Sequence, residues 1–252
     1  LDNAASTPLD PIVIEEMLPW MYQHQGNPSS IHAYGRKAKV AIENARKSIA
    51  KHLGCSPAEI FFTSGGTEAD NTAIFQSIVS LKVKHIITSP LEHHAVLHSI
   101  EAAEKFHDIK VHFVALDNKG GIDYNDLENI LTSINEPKLV SLMHANNEIG
   151  NLTDINKVGQ IWKQHQAYFH SDTVQTVGHY PIDLKNTSIH FITGSAHKFH
   201  GPKGVGFLYV NNDAMIDPFI YGGGQERNMR GGTENLYGIV GMAKAFQLSV
   251  EH

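Results

Sequence analysis

The Ser-Ala-His-Lys sequence at positions 195–198 places a lysine next to a segment that we expect to be buried, where a charged side chain needs a chemical role. It follows an apolar, β-branched run at residues 189–193, so we expect Lys198 on a turn at the end of a buried strand. Burying an unpaired ammonium group is costly, and the same loss of water lowers the pKa of the amine and makes it a nucleophile. Such a lysine can form a Schiff base with an aldehyde cofactor. Ser195 and His197 could donate hydrogen bonds to a phosphate group beside it.

The Thr-Ser-Gly-Gly-Thr-Glu sequence at residues 63–68 is a second candidate for ligand binding, and it lies between a predicted strand and a predicted helix. Its two glycines leave backbone N–H groups free at the helix N-terminus, where the helix dipole favours a phosphate. A tight turn with a threonine cap explains the same residues, so both interpretations stay open at this point. The glycine spacing matches neither a Walker loop nor a dinucleotide-binding fingerprint.

Two further polar clusters also follow predicted strands. In the Leu-Glu-His-His sequence at residues 91–94, a histidine could stack on a planar ring or move protons, or it could be a solvated loop residue. The segment at residues 144–150 contains two adjacent asparagines that could bind a carboxylate or a ring hydroxyl, or form an ordinary turn. No cysteine or acidic ligand set accompanies the paired histidines, so we expect no metal site.

Asp172 closes another predicted strand, so its carboxylate would be mostly buried. A buried carboxylate needs a cationic partner. A protonated pyridine nitrogen would be a functional partner, whereas an aspartate that caps a helix is the purely structural alternative.

The elements that must position these clusters alternate between strands and helices, which predicts βαβ units and a mainly parallel sheet. The last two strands are joined only by the short Lys198 turn, which allows one of them to run antiparallel. Ligands of open α/β sheets bind beyond the carboxyl ends of the strands, and every cluster above follows such an end. The predicted strands are residues 59–63, 85–88, 111–116, 139–143, 168–171, 190–193 and 205–210, and the predicted helices are 36–53, 68–81, 95–106, 124–134 and 154–164.

Composition narrows the class of protein. The chain has 252 residues, of which 41% are apolar and 18% charged, as is usual for a soluble globular protein. The formal net charge of -6 argues against a nucleic-acid partner. No apolar run is long enough to span a bilayer and no signal-peptide pattern is present, so we expect no membrane partner and a cytoplasmic location. The single cysteine, Cys55, excludes an internal disulfide framework.

Six short motifs occur in a fixed order along the chain, and together they carry a family resemblance. The sequence resembles the cysteine desulfurases of the NifS/IscS group, which are class V, fold-type I pyridoxal-phosphate enzymes. Each motif alone is weak, but six in the right order make a chance match improbable. The motifs are Leu-Asp-Asn-Ala-Ala-Ser-Thr-Pro at 1–8, Gly-Asn-Pro-Ser-Ser at 26–30, Thr-Ser-Gly-Gly-Thr-Glu at 63–68, Asn-Asn-Glu-Ile-Gly at 146–150, Ser-Ala-His-Lys at 195–198 and Arg-Gly-Gly-Thr-Glu-Asn at 230–235.

The resemblance implies a role for each candidate residue. Lys198 would be the Schiff-base lysine, which is displaced by the substrate amine and then moves the Cα proton. Asp172 would keep the pyridine nitrogen cationic, and His93 would stack on the ring and assist proton transfer. The other implied cofactor ligands are Gln175 at the ring 3-hydroxyl, Asn147 at the ring and the substrate carboxylate, Gly66, Thr67, Ser195 and His197 at the phosphate, and Thr233 at the phosphate of the partner subunit.

The implied reaction converts L-cysteine to L-alanine and passes the sulfur to an enzyme cysteine as a persulfide, for iron–sulfur cluster or thio-cofactor assembly. A homodimer and a sulfur-acceptor or iron–sulfur scaffold protein are the expected partners. Two alternatives remain: a selenocysteine lyase or another class V enzyme, and a truncated, non-catalytic paralogue that acts as a scaffold. Retention of Lys198, Asp172 and His93 speaks against the scaffold.

The resemblance also divides the chain into parts. It implies a cofactor-binding large domain at residues 14–252, with a mainly parallel mixed sheet flanked by helices, and an N-terminal arm at residues 1–13 that belongs with a small domain. The C-terminal small domain, with the nucleophilic cysteine and the carboxylate-binding arginine of the family, is absent from this chain. Cys55 is no substitute by position. We therefore expect a fragment that is inactive as a desulfurase.

Overall fold

A seven-stranded sheet forms the centre of the structure, a computed structural model that describes residues 2–251. The strands lie in the order β1-β7-β6-β5-β4-β2-β3. Strand β7 is antiparallel to both of its neighbours, β1 and β6, whereas the other neighbouring pairs are parallel. The strands are β1 (Ile60–Thr63), β2 (His85–Thr88), β3 (Lys110–Phe113), β4 (Lys138–Ser141), β5 (Tyr168–Asp172), β6 (Phe191–Ser195) and β7 (Gly206–Val210).

Helices cover both faces of this sheet. Helices α3 and α4 pack on one face through a cluster of buried apolar side chains. The opposite face is covered by a larger cluster to which the remaining helices contribute. The fold class expected from the sequence, a mainly parallel mixed sheet flanked by helices, is therefore confirmed. The helices are α1 (Pro11–Tyr22), α2 (Ala33–Leu53), α3 (Gly66–Val79), α4 (His94–Phe106), α5 (Tyr124–Ser133), α6 (Ile155–Gln164) and α7 (Leu236–Glu251).

Burial on both faces explains why the central strands are recognisable in the sequence. Every residue of β2, β4, β6 and β7 is buried, and strands enclosed by helices on both sides read as continuous apolar runs. The predicted strand at residues 190–193 is in fact Phe191–Ser195, because its pairing with β7 continues to Ser195. This extension carries the strand directly to the turn with Lys198.

Two helices, α1 and α7, were not predicted from the sequence. Asp10 caps α1 by accepting a hydrogen bond from the backbone N–H of Ile12, and Pro11 takes the first helical position. The predicted boundary between residues 13 and 14 falls inside this helix, and α1 packs against α7. The division of the chain into an arm and a large domain stays a prediction.

The residues before α1 lie against the segment that follows β6. The backbone N–H of Thr7 donates to the carbonyl of His197 at 2.9 Å, and that of Asp10 donates to the carbonyl of His200 at 3.1 Å. The hydroxyl of Thr7 accepts from the backbone N–H of His200 at 2.7 Å. These contacts bring the N-terminal segment to the carboxyl edge of the sheet.

Between residues 2 and 251, none of the helices is both long enough and apolar enough to cross a membrane.

Candidate functional site

A cavity of about 720 Å³ opens at the carboxyl edge of the sheet. The ends of β1, β2, β4, β5 and β6 all meet there, because these five strands point the same way and their carboxyl ends share one edge. All but one of the predicted site residues line this cavity, namely Gly66, Thr67, His93, Asn147, Asp172, Gln175, Ser195, His197 and Lys198.

Lys198 ends a single helical turn, Ala196–Lys198, that follows β6 directly. Its side chain is half-buried, and Nζ donates a hydrogen bond to the carbonyl of Ala4 in the N-terminal segment. Burial lowers the pKa of this amine, while the carboxylates of Asp172 and Asp2 act in the opposite direction. An amine with a lowered pKa spends more time unprotonated, which is the form that attacks a carbonyl group.

Asp172 is the last residue of β5, and its carboxyl group is buried at the floor of the cavity. Its hydrogen-bond partners are neutral groups: Val174 N–H donates to Oδ1 at 2.8 Å, and the hydroxyl of Thr193 lies 3.4 Å from the same atom. Burial, reinforced by the carboxyl group of Asp70, raises the pKa of Asp172 to about 7. A cation placed against this carboxylate would therefore be strongly favoured.

His93 lies across the cavity at the start of α4. Its Nδ1 accepts a hydrogen bond from the backbone N–H of Ala95 at 3.1 Å and so caps the helix. The sequence left open a functional role or a solvated loop residue; the structure shows His93 as a helix cap, which uses one ring nitrogen only. The capping contact leaves Nε2 as the nitrogen available to a ligand.

The N-terminus of α3 forms another wall. Gly65 precedes the helix and has no side chain to cap it, so the first backbone N–H groups lack a side-chain acceptor. A Cβ atom on Gly66 would lie 2.6 Å from Cγ2 of Val174, so only glycine fits the close approach of helix and cavity floor. Glu68 in the first turn would repel an anion, but Arg230 holds its carboxylate at 2.9 and 3.1 Å.

The remaining predicted residues contact their neighbours as follows. His197 Nδ1 lies 3.3 Å from the hydroxyl of Ser6, and burial, with Lys198 and Lys203, lowers the pKa of this imidazole. Gln175 Nε2 donates to the carbonyl of Ala4 at 2.9 Å, so Ala4 accepts from both Gln175 and Lys198. Asn147 Nδ2 donates to the carboxylate of Glu148 at 2.6 Å.

Thr233 is the predicted residue that does not line the main cavity. It is exposed and borders a separate cavity of about 140 Å³ beside Phe62, Gly204 and Asn235. Thr233 is therefore not grouped with the other candidate phosphate ligands of the same chain.

Sequence reasoning missed several residues of the site. Asp2, Ala4 and Ser6 line the cavity although the N-terminal segment was assigned elsewhere, and the motif at residues 1–8 was the available signal. Asp70 on α3 also lines the cavity and had no signal in the sequence; Glu92 is buried nearby, and although it lies in the cluster at residues 91–94, only its histidine neighbour was given a role.

Cys55 lies between α2 and β1 and does not line the cavity. Burial, followed by the nearby carboxylate of Glu59, raises the pKa of its thiol to about 12. Among the residues that the structure describes, no group of three or more His, Cys, Asp or Glu side chains is arranged to hold a metal ion.

A lysine on a turn after one strand, a buried aspartate at the end of the next and a histidine across the cavity define a pyridoxal-phosphate enzyme of fold type I. The comparisons narrow this class. The chain matches the family described as aminotransferase class-V over residues 1–251, and it belongs to that family.

Curated relatives and solved structures agree with this assignment. A cysteine desulfurase IscS from Dictyoglomus turgidum is 48% identical over 252 residues, covering 99% of this chain and 63% of that protein. A structure described as a NifS-like protein superposes with a TM-score of 0.95 at 41% identity, covering 99% of this chain and 69% of that one. A structure of SspA in complex with cysteine has a TM-score of 0.92 at 36% identity, covering 98% of this chain and 71% of that one. The chain spans 61–66% of the length of the curated IscS relatives it matches.

The family depends on pyridoxal phosphate, and the cavity of this chain fits that group. A half-buried lysine suits its aldehyde, and the buried carboxyl group of Asp172 suits its ring nitrogen. The uncapped N-terminus of α3, with glycine where a Cβ would collide, suits its phosphate.

Proposed function

We propose that this chain is the cofactor-binding part of a cysteine desulfurase that converts L-cysteine to L-alanine and transfers the sulfur to an enzyme cysteine. The observation that carries the proposal is the convergence of Lys198, Asp172 and His93 on one cavity from three different strand ends. The names of the IscS relatives and the cysteine-bound SspA structure support L-cysteine as the substrate.

The proposed roles follow from the position of each side chain. Pyridoxal phosphate, when bound, supplies an aldehyde that combines with amines and a cationic ring that accepts electrons. Lys198 would hold this aldehyde through Nζ until the substrate amine displaces it, and the freed amine would move the proton at the substrate Cα. The Asp172 carboxylate would accept a hydrogen bond from the ring N–H. His93 would lie against the ring and transfer protons through Nε2, since Nδ1 caps α4.

The phosphate is assigned to the wall formed by α3 and the turn after β6. Gly66 and Thr67 would contribute the helix N-terminus, and Ser195 and His197 would add side-chain donors. The remaining assignments are Gln175 to the ring 3-hydroxyl and Asn147 to the ring and the substrate carboxylate.

We further propose a homodimer in which Thr233 reaches the phosphate of the partner subunit. Its exposure and its position outside the cavity of its own chain support this role. The high thiol pKa of Cys55 supports a persulfide-carrying cysteine outside these 252 residues. A cytoplasmic enzyme that delivers sulfur to an acceptor or iron–sulfur scaffold protein is the corresponding cellular role.

Covalent trapping of the cofactor tests this proposal. The protein is loaded with pyridoxal phosphate, reduced with borohydride, digested and analysed by mass spectrometry, and the visible absorption of the unreduced sample is recorded. We expect the pyridoxyl group on Lys198 and loss of the absorption band in Lys198→Ala. Lys203→Ala is the matched control, because Lys203 lines the same cavity and should leave the label in place. A label on Lys203, or none on Lys198, would contradict the proposal.

Substrate choice needs a separate measurement on a longer chain that includes the persulfide cysteine. Alanine release from L-cysteine and from L-selenocysteine would be compared at equal concentrations. A desulfurase releases alanine from L-cysteine, whereas activity confined to L-selenocysteine would favour a selenocysteine lyase.

A further inference from the structure

Three acidic side chains are buried together beneath the cavity, and only Asp172 has a proposed role. Asp70 on α3 is 1% exposed, Asp172 at the end of β5 is 6% exposed, and Glu92 after β2 is 6% exposed. Placing three ionised carboxylates in a buried site is costly unless cations accompany them.

Buried polar atoms without partners mark this cluster. Among residues 2–251, Asp70 Oδ1 and Glu92 Oε2 find no hydrogen-bond partner. His170 Nε2 lies 3.3 Å from Asp70 Oδ1 but makes no well-formed hydrogen bond with it, while its Nδ1 lies 2.9 Å from the hydroxyl of Ser141. Buried groups of this kind are uncommon in folded proteins and call for an explanation.

The alternation of side chains along the strands brings these groups together. His170 and Asp172 lie two residues apart on β5 and so face the same side of the sheet. Thr193 on β6 pairs directly with Asp172. Helix α3 covers this side, and the side chain of Thr193 lies close enough to Asp70 to lower the pKa of that carboxyl group.

Within residues 2–251, no lysine or arginine forms an ion pair with any of these three carboxyl groups. Burial lowers the pKa of His170 to about 4, so its imidazole is neutral at pH 7. Lys198 directs Nζ to the carbonyl of Ala4.

Burial raises the pKa of both Asp70 and Asp172 to about 7, and Asp70 further raises that of Asp172. The titratable groups around Asp172 are Asp70 from α3, His170 from β5, Glu92 and His93 from the segment before α4, and Lys198 from the turn after β6.

The hydroxyl of Thr193 has one proton to donate and two carboxyl groups beside it. It lies 3.4 Å from Asp172 Oδ1. If the Thr193 hydroxyl donates its proton to Asp172, it can still accept a hydrogen bond through its oxygen. Asp70 can form that second hydrogen bond only when its carboxyl group is protonated and donates to the hydroxyl. A cation against Asp172 selects this arrangement, since it favours the ionised form of the carboxyl group that it touches.

We propose that Asp70 is a positioning residue for Asp172: the two carboxyl groups flank the Thr193 hydroxyl and share one proton, which rests on Asp70 when a cationic ring nitrogen lies against Asp172. The number of protons does not change in this step. The buried pair then carries a single negative charge, located on the carboxylate that faces the ring. This inference rests on the proposed function.

The first test uses the cofactor-free protein, with the infrared carboxyl bands followed across the pH range in a Glu92→Gln background that removes the Glu92 signal. Two coupled carboxyl groups titrate in two steps. We expect Asp70→Asn to abolish the upper step and to leave Asp172 titrating about one pH unit or more to the acid side. Asp108→Asn is the control, because the Asp108 side chain is 99% exposed and should change nothing.

A second pair of variants guards against misfolding of Asp70→Asn. Removing a donor to a carboxylate raises its pKa, so Thr193→Val should move the Asp172 titration to the alkaline side, and Thr193→Ser should restore it. An unchanged or alkaline-shifted titration in folded Asp70→Asn would overturn the inference, as would an unchanged titration in Thr193→Val.

The cofactor-loaded protein provides the last readout. At pH values between the two steps of the free protein, one protonated carboxyl band should be present in the loaded protein and should be lost in Asp70→Asn. A loaded protein with no protonated carboxyl band in this background would also overturn the inference. Failure of the proposed function is distinguishable, because it would show as absence of pyridoxal-phosphate binding whatever the titration of the free protein.

Discussion

At the scale of single residues, burial decides the chemistry of the one cysteine. The Cys55 thiol is half-buried between α2 and β1, and its pKa is raised to about 12. The thiolate is the reactive form of a cysteine. At pH 8 we therefore expect native Cys55 to react with a disulfide reagent at least about 100-fold more slowly than in the unfolded chain. Stopped-flow absorbance with and without denaturant measures this ratio, and a native rate with a midpoint near pH 8.5 would contradict it.

Glu92 gives a residue-scale prediction about pH. Burial raises the pKa of its carboxyl group well above the ordinary value of 4.5. Between the pKa of Glu92 in the unfolded chain and its higher pKa in the folded protein, the folded protein keeps a proton that the unfolded chain releases. The free energy of unfolding therefore falls as the pH rises through this range. For one proton this loss is about 1.4 kcal/mol per pH unit.

The Glu92→Gln variant has no such proton, so its free energy of unfolding should rise relative to that of the wild type between pH 5 and pH 8. Urea denaturation at several pH values measures the difference, in which the contributions of the other titrating groups cancel. Glu101→Gln, at an exposed position on α4, is the control and should give a flat difference. A flat difference for Glu92→Gln as well would show that the carboxyl group is ionised in the folded protein.

The sequence predicts some site residues better than others for a physical reason. Lys198 and Asp172 stand out because each breaks or ends an apolar run, where a charged group needs an explanation. Asp70 lies on a helix, and an acidic residue on a helix ordinarily faces water. Only the packing of α3 on the sheet shows that Asp70 is 1% exposed.

At the scale of elements, some segments are recognisable from the sequence and others only from their packing. The strand predicted at residues 85–88 is observed with those bounds: the β-branched pair Ile86 and Ile87 lies between His85 and Thr88, and all four residues are buried. Helix α7 is apolar on most sides and contains two glycines, so it lacks the periodicity of a surface helix. Helix α1 contains Pro19, which argues against a helix when the sequence is considered alone.

A buried ion pair joins α2, β1 and the loop at Gln225–Asn228. Arg46 on α2 places two guanidinium nitrogens 2.8 Å from the two carboxylate oxygens of Glu226. Glu226 Oε2 also accepts from the backbone N–H of Phe62 on β1 at 2.7 Å. Glu226 has a φ of 45°, and the next two residues also have positive φ, so this contact holds the loop in a conformation that non-glycine residues disfavour.

Glu226→Gln tests this element-scale role. It leaves the Arg46 guanidinium buried without its buried charge partner and with only the half-exposed Glu43, which should cost about 3–5 kcal/mol of unfolding free energy. Glu43→Gln is the matched control, because Glu43 contacts the same arginine from a side chain that is 38% exposed, and exposed pairs contribute about 0–1 kcal/mol. Urea denaturation compares the two, and equal losses would contradict the assignment of the ion pair as the anchor of the loop.

At the scale of the whole molecule, large apolar side chains remain exposed around the start of α2. Ile31 is 92% exposed and Tyr34 is 69% exposed, and on α1 Tyr22 and Met21 are 59% and 53% exposed. Contiguous exposed apolar surface marks sites of association. We propose a second copy of this chain as the occupant of this surface, in keeping with the homodimer proposed above.

Ile31→Asp should therefore weaken self-association at least about tenfold, since it places a charge in apolar contact surface. Analytical ultracentrifugation over a range of micromolar concentrations measures the dissociation constant, and pyridoxal-phosphate retention measured on the same samples reports whether the site depends on the partner. Met215→Asp is the matched control, because Met215 is 83% exposed and follows β7, outside the surface around α1 and α2. If both variants dissociate equally, or if the wild type is monomeric throughout, the subunit contact lies elsewhere and Thr233 cannot reach a partner by way of this surface.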